Sequence, residues 1–200
     1  MLYLIRHANP HIEPDVAASQ WHLSPLGMVR AHQFAAHLAG CGIEHFIASS
    51  EPKAIQTAQL LAQDLEVPVT TADNLHEHER PQVGFMTRAK FTNLVARFFA
   101  NPTQLVFGQE TADQAFKRFD GAVSDVLARY SAQTLAIVSH GTVLSLFISR
   151  HCNLDAFTFW QALGLPACIT LAWPECRLLE TWTPPDPPSA FMETDDEARH

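Results

Sequence analysis

Along this chain, short uncharged apolar runs alternate with stretches in which apolar residues recur every three or four positions. The first pattern suits buried strands and the second amphipathic helices, and their alternation is the signature of an α/β domain. Residues 2–5 form the first run. In Leu23-Ser24-Pro25-Leu26-Gly27 a helix opens: Ser24 can cap it, Pro25 suits its first turn, and Gly40 and Gly42 stop it. Residues 46–48 read as a second strand ending at Ser49-Ser50. Pro52 begins a helix to about residue 65, with Ile55, Leu60 and Leu61 on its buried side. Residues 67–71 read as a third strand, leading into Asn74-Leu75-His76-Glu77-His78-Glu79-Arg80.

Residues 81–109 are less regular, although 87–99 have helical spacing. Residues 110–130 predict a long helix, with Phe116, Phe119, Val123, Val126 and Leu127 at three- and four-residue steps. The cleanest strand is 135–138, followed by Ser139-His140-Gly141 and a helix from 142 to about 150. Residues 168–173 and 177–182 read as a strand pair turning at Pro174 and Glu175. From Pro184 the chain becomes proline-rich and then acidic. The expectation is one domain over 1–183 and a flexible tail over 184–200, with no internal repeat.

At 200 residues and 47% apolar content the chain can bury a sizeable core. Its 13 Lys+Arg face 21 Asp+Glu, a net charge of −8, which argues against a nucleic-acid or anionic-membrane partner. A phosphate ligand would need cations gathered locally against that sign. No run approaches the roughly 18 apolar residues of a membrane span. The opening run stops at Arg6, too short for a signal peptide. Cys41, Cys152, Cys168 and Cys176 contain no CxxC pair and read as buried reduced thiols. A soluble cytoplasmic protein of unspecified oligomeric state is the expectation.

Chemistry-bearing residues follow four of the predicted strands: Arg6-His7, Ser49-Ser50, Glu77 and His140-Gly141. Open α/β sheets bind ligands outside the carboxyl ends of their strands, so four such coincidences point to one pocket. A neutral imidazole at His7 is a good nucleophile toward phosphorus, and Arg6 beside it can neutralise phosphate oxygens. Lys53 falls in the first turn of a helix, where an anion is favoured. Gly141 would leave backbone N–H groups open to a ligand. With 11 histidines, a lone one means little, and His11, His22, His32, His37, His45 and His151 read as surface or capping residues. Glu77 and Glu79 fall on one side of an extended segment, and His76 and His78 on the other, where a His-x-His metal site lacks further ligands. Phe85, Phe91, Phe98, Phe99 and Phe107 could build an apolar wall, rimmed by Arg80, Arg88, Lys90 and Arg97, or simply fill a helical core.

Together these motifs resemble the histidine phosphatase superfamily, with its phosphoglycerate-mutase-like fold. The resemblance rests on Leu4-Ile5-Arg6-His7-Ala8, on Ser49-Ser50 with Ala54-Ile55-Gln56-Thr57-Ala58, on Leu75-His76-Glu77, and on Val138-Ser139-His140-Gly141. Weaker matches are Leu23-Ser24-Pro25-Leu26-Gly27 and Gly108-Gln109-Glu110. It implies a three-layer α/β/α domain with a mostly parallel central sheet. It also implies a metal-independent, cofactor-free phosphatase acting on a small-molecule phosphomonoester. His7 would form a phosphohistidine, and Glu77, favoured over Glu79 and needing either a raised pKa or the charge of a bound phosphate, would serve as acid and base. Arg6, Lys53, His140, Gly141, Asn9 and Ser50 would hold the phosphoryl group. Two positions depart from the family pattern: Ala8 replaces a glycine and Lys53 stands near an arginine. They motivate one alternative, a phosphate-binding protein without turnover. The other is phosphoglycerate-mutase-type transfer, disfavoured by the short 78–109 segment.

Overall fold

The computed structural model describes residues 1–80 and 86–185. Along the chain run β1 (Leu2–Arg6), α1 (Pro25–Leu38), β2 (His45–Ser49), α2 (Pro52–Leu65), β3 (Val69–Ala72) and α3 (Arg88–Ala100). They are followed by α4 (Ala112–Arg129), β4 (Leu135–Ser139), α5 (Gly141–Cys152), α6 (Ala156–Ala162), β5 (Ala167–Ala172) and β6 (Arg177–Trp182). The strands form one sheet in the order β3-β2-β4-β1-β5-β6. The first four are mutually parallel, and β5 and β6 extend the sheet antiparallel.

Side chains alternate across this sheet, and both faces are apolar. On one face Leu2, Leu4, Ile47 and Ile137 pack against Phe119 and Val123 of α4 and Phe147 of α5. On the other Tyr3, Ile5, Phe46 and Val138 meet Phe34 and Leu38 of α1 and Ala58 and Leu61 of α2. The result is the expected three-layer sandwich. Each fully buried Leu or Phe contributes roughly 1.5–3 kcal/mol.

Helix starts follow local chemistry. Ser24 Oγ accepts the N–H of Gly27, and Thr111 with Gln114 closes a reciprocal capping box on α4. Gly27 is required for a further reason: a Cβ there would stand 2.1 Å from the carbonyl oxygen of Asn9.

Several details differ from the sequence reading. The buried side of α2 is Ala54, Ala58, Leu61 and Ala62, whereas Ile55 and Leu60 are half-buried. Helix α6 has no counterpart in the sequence reading, because its seven residues are too few to display a period and none is fully buried. His45 is buried and bonded to Gln133 and Thr70. Of the four free cysteines Cys168 is buried, and the other three are half-buried. Pro184 is buried too, and its carbonyl accepts Arg30 Nη2. Phe85 and the tail beyond residue 185 lie outside the described residues. Among the described residues no helix is long and apolar enough to cross a membrane.

Candidate active site

Register brings the motifs together. Because β4 lies between β1 and β2, Arg6 is level with Ser139, and Ala48 with Val138. Ser49 is in turn level with Ala72 of β3. The residues that follow these strands therefore leave the sheet at a single edge.

His7 is 6% exposed, and its backbone N–H donates to the Ser139 carbonyl at 3.0 Å. Its Nδ1 lies 2.7 Å from the Ala8 carbonyl. A carbonyl only accepts, so Nδ1 carries the proton and Nε2 keeps its lone pair. Nε2 has no hydrogen-bond partner among the described residues. Burial first, and then the nearby His140, Lys53 and Arg6, hold the His7 pKa well below 6.5. The ring is a neutral base of defined tautomer.

Ala8 has negative φ, so its methyl group carries no backbone strain, and it packs with Leu23 and Ala31. Its N–H donates to Thr57 Oγ1 at 3.0 Å, and that hydroxyl donates to the Lys53 carbonyl at 2.7 Å. Thus α2 pins the loop behind the histidine. Asn9 stands next in that loop, with its side-chain oxygen buried and unpartnered.

Arg6 is turned under α5. Its Nη1 donates to the Leu163 and Gly164 carbonyls, and burial lowers its pKa only to about 10, so it stays charged. Its guanidinium occupies the space beside Gly141, where a Cβ would stand 2.9 Å from Arg6 Nε. Gly141 therefore makes room for Arg6. The backbone N–H groups expected to be open at this helix start are taken as well: Thr142 and Val143 donate to Glu77.

Of the two glutamates, half-buried Glu77 is the one whose carboxylate the fold holds with backbone N–H groups. Its Oε2 accepts from Thr142 N at 3.1 Å, and its Oε1 accepts from His78 N at 2.9 Å. Burial alone would raise its pKa, but Arg80, His140 and these N–H groups outweigh it, and the pKa lies below 4.5. The direction goes against a raised value and leaves the charge of a bound phosphate as the expected route: a carboxylate at a helix N-terminus has its charge solvated by backbone dipoles. Glu79 instead faces outward and pairs with His76 at 3.1 Å. His78 is core, packed on Phe98 and Phe107 with its Nε2 on the Glu110 carbonyl. Neither histidine belongs to a group of three or more metal-ligand side chains among the described residues.

Two features escaped the sequence reading. Glu51 is 7% exposed and pairs with Lys53, whose Nζ also donates to the Ala18 carbonyl at 2.6 Å. Glu51 Oε1 accepts the Glu77 N–H at 2.8 Å and lies 3.6 Å from His140 Nε2. It thereby ties together the second, third and fourth motifs. Ser49, rather than Ser50, meets His140 Nε2 at 2.8 Å, while Ser50 sits exposed on the rim. The rings of His140 and His7 are 5.1 Å apart. Burial first, then Lys53, keeps His140 neutral as well.

The second feature is a clamp. Arg118 grips the Glu110 carboxylate and donates to the carbonyls of Asn74, His76 and Glu77. Glu110 accepts the Glu79 N–H at 3.0 Å. Only the spacing of Glu110 and Arg118, two turns apart at a helix start, hinted at it. Outside this cluster opens a cavity of about 400 Å³, walled by Ser50, Glu51, Lys53, Glu77, Arg80 and Gln109 among others. Of the expected phenylalanines, the described ones, Phe91, Phe98, Phe99 and Phe107, do not line it. Phe91, Phe98 and Phe107 pack behind Arg80 and His78.

Comparison with known proteins gives this arrangement a context. The chain is 27% identical over 169 residues to the probable phosphoglycerate mutase GpmB of Proteus mirabilis (strain HI4320), covering 78% of this chain and 76% of that one. It is 27% identical over 176 residues to the adenosylcobalamin/alpha-ribazole phosphatase of Escherichia coli (strain K12), covering 80% and 83%. A solved structure of phosphoserine phosphatase from Entamoeba histolytica, in complex with 3-phosphoglyceric acid, superposes with a TM-score of 0.71 at 18% identity. That match covers 89% of this chain and 93% of the other. Residues 2–175 match the sequence profile of one family throughout, and the chain accordingly belongs to the histidine phosphatase superfamily (branch 1).

Proposed function

We propose that this protein is a phosphatase that hydrolyses a small phosphomonoester through a phosphohistidine at His7. The observation that carries the reading is the state of His7: neutral, with Nδ1–H on the Ala8 carbonyl and Nε2 unpartnered. Nε2 attacks phosphorus, the ester P–O bond breaks, and Glu77 gives a proton to the departing oxygen. Ionised Glu77 takes that proton from solvent as a phosphate dianion, a like charge, enters beside it, and in later turnovers keeps the one gained from the attacking water. Water then attacks the phosphohistidine, Glu77 takes its proton, and phosphate leaves. Arg6, Lys53 and the His140 N–H supply charge and hydrogen bonds to the transferring oxygens, with Asn9, Gly141 and Ser50 at the margins. Among the relatives, the E. coli protein is named as a phosphatase, which supports hydrolysis.

The test is hydrolysis of p-nitrophenyl phosphate by wild type and His7→Ala, with EDTA present, together with trapping of an acid-labile phosphoenzyme. Turnover and labelling lost together in the mutant are expected. Turnover surviving in His7→Ala would overturn the assignment. A second reading, phosphoryl transfer within a primed substrate, draws on the relative named as a probable mutase. It predicts isomerisation of a phosphoglycerate with little phosphate release.

A further inference from the structure

One cation of the cavity has no task in the chemistry described so far. Arg80 lies on the cavity wall with its guanidinium carbon 4.6 Å from the centroid of the Phe91 ring. Phe91 is itself held edge-on by Phe107 and Trp160. Nη1 of Arg80 is buried and makes no hydrogen bond, and the residue forms no ion pair among the described residues. The other cations differ. Arg6 Nη1 donates to the carbonyls of Leu163 and Gly164, although its Nε lacks a partner, and Lys53 pairs with Glu51; both already serve the phosphoryl group in the chemistry above. A buried guanidinium donor without a partner is costly in isolation and is matched to a planar anion.

Position decides which part of a substrate such a donor would meet. Arg80 walls the cavity together with Glu77 and is the foremost charge acting on it, whereas His7 is not among the described residues that line that cavity. Arg80 therefore stands on the acid's side of the site. There the leaving alcohol must lie, because the acid protonates it. Phe91 backs the guanidinium, and Nη1 is left as a donor with no partner, the group that a carboxylate or phosphate oxygen would satisfy.

We infer that Arg80 is a specificity-determining residue that binds an anionic group, a carboxylate or a second phosphate, carried on the leaving alcohol of the substrate. This rests on the phosphatase reading and narrows it: the substrate is an acidic phosphomonoester, not a neutral sugar or aryl phosphate. The aromatic support also explains why this cation is better prepared than a flexible surface lysine. Its place against the ring is set before the ligand arrives, so less ordering is lost on binding.

The test compares three probes that share a primary alkyl phosphate: glycerol 3-phosphate, 3-phosphoglycerate and propane-1,3-diol bisphosphate. All need the same proton from Glu77, so any change that Arg80 imposes on that acid cancels in their ratios. Wild type should favour one or both anionic probes over glycerol 3-phosphate by about 30-fold in kcat/KM, the worth of a charge-assisted pair. Arg80→Gln should bring that ratio close to one, and Arg80→Lys should keep part of it. The two anionic arms decide between carboxylate and phosphate. A wild type without preference, or an Arg80→Gln enzyme that keeps it, overturns the inference. The same ratios measured as Kd by calorimetry on His7→Ala, with and without Arg80→Gln, separate the two claims. A binding preference that depends on Arg80 without any wild-type turnover would sink the phosphatase reading and keep Arg80. Turnover without the preference would do the reverse.

Discussion

The two halves of the site are held by different means. On the side of the proposed nucleophile, His7 and His140 leave adjacent parallel strands, and sheet register sets their level. Backbone pairing does the positioning, and local partners such as the Ala8 carbonyl and Ser49 adjust each ring. The side of the proposed acid, Glu77, has no such frame. Residues 73–80 form no strand or helix, and their conformation depends on side chains from elsewhere: Arg118, Glu110, Glu51 and the start of α5. A register shift flips every side chain of a strand, so the first half is robust to single surface changes. The second half rests on a few buried polar contacts, each sensitive to removal of one partner.

The sharpest break in that comparison is at the proposed reacting groups. His7→Ala should lower kcat by at least about 10⁴-fold, read with p-nitrophenyl phosphate. Glu77→Gln should cost about 10²–10⁴-fold on an alkyl phosphate. On p-nitrophenyl phosphate, whose leaving group needs no proton, the loss should be much smaller. Equal losses on both esters would remove Glu77 from the acid role.

Next comes the clamp. Arg118→Ala strands Glu110, whose side chain is only 8% exposed, and should cost about 3–5 kcal/mol of stability. Because the clamp holds the acid's segment, the variant that remains folded should form phosphoenzyme more readily than its alkyl-ester turnover suggests. Thermal denaturation and rapid-quench labelling read the two effects.

The pH dependence of stability follows from the buried histidines. His7 and His140 resist protonation in the folded protein but accept protons near pH 6.5 once unfolded. The unfolded chain then binds more protons as pH falls below 6.5, so stability declines there. Glu77 adds to the decline at lower pH: its folded pKa lies below 4.5, and the stability that it contributes above that value is lost as pH falls through the folded pKa. Tm should be nearly flat above pH 7 and fall below 6.5, less steeply in His7→Ala. The smallest effect belongs to Ala8→Gly. With negative φ and a buried methyl, Ala8 gains nothing from glycine, and the change should cost about 0.5–1 kcal/mol.

Much of this was legible in the chain. The strand runs, the Ser24 cap and the Pro52 start are local signals, set by short-range sterics and hydrogen bonding. The motifs that end β1, β2 and β4 could be read because strand ends in an open sheet converge whatever the loops do. Glu51 could not be read as part of the site, since a glutamate before a helix proline is ordinary until Glu77 and His140 are brought against it. Nor could the lowered pKa of Glu77, which depends on N–H groups 65 and 66 residues away. Arg80 was visible only as one of several rim cations, and its lack of a partner emerges only when its neighbours are known.

By itself the sequence determined the layer order of apolar and polar surfaces, the helix starts and the family to which the chain belongs. These depend on periodicity and on residue types in fixed order. The tertiary structure alone decided which donor meets which acceptor: that Gly141 makes room for Arg6, that the start of α5 holds Glu77, and that Arg80 Nη1 is left without a partner. Such pairings require distances of a few ångströms between residues far apart in the chain, and only the packed sheet and its helices create them.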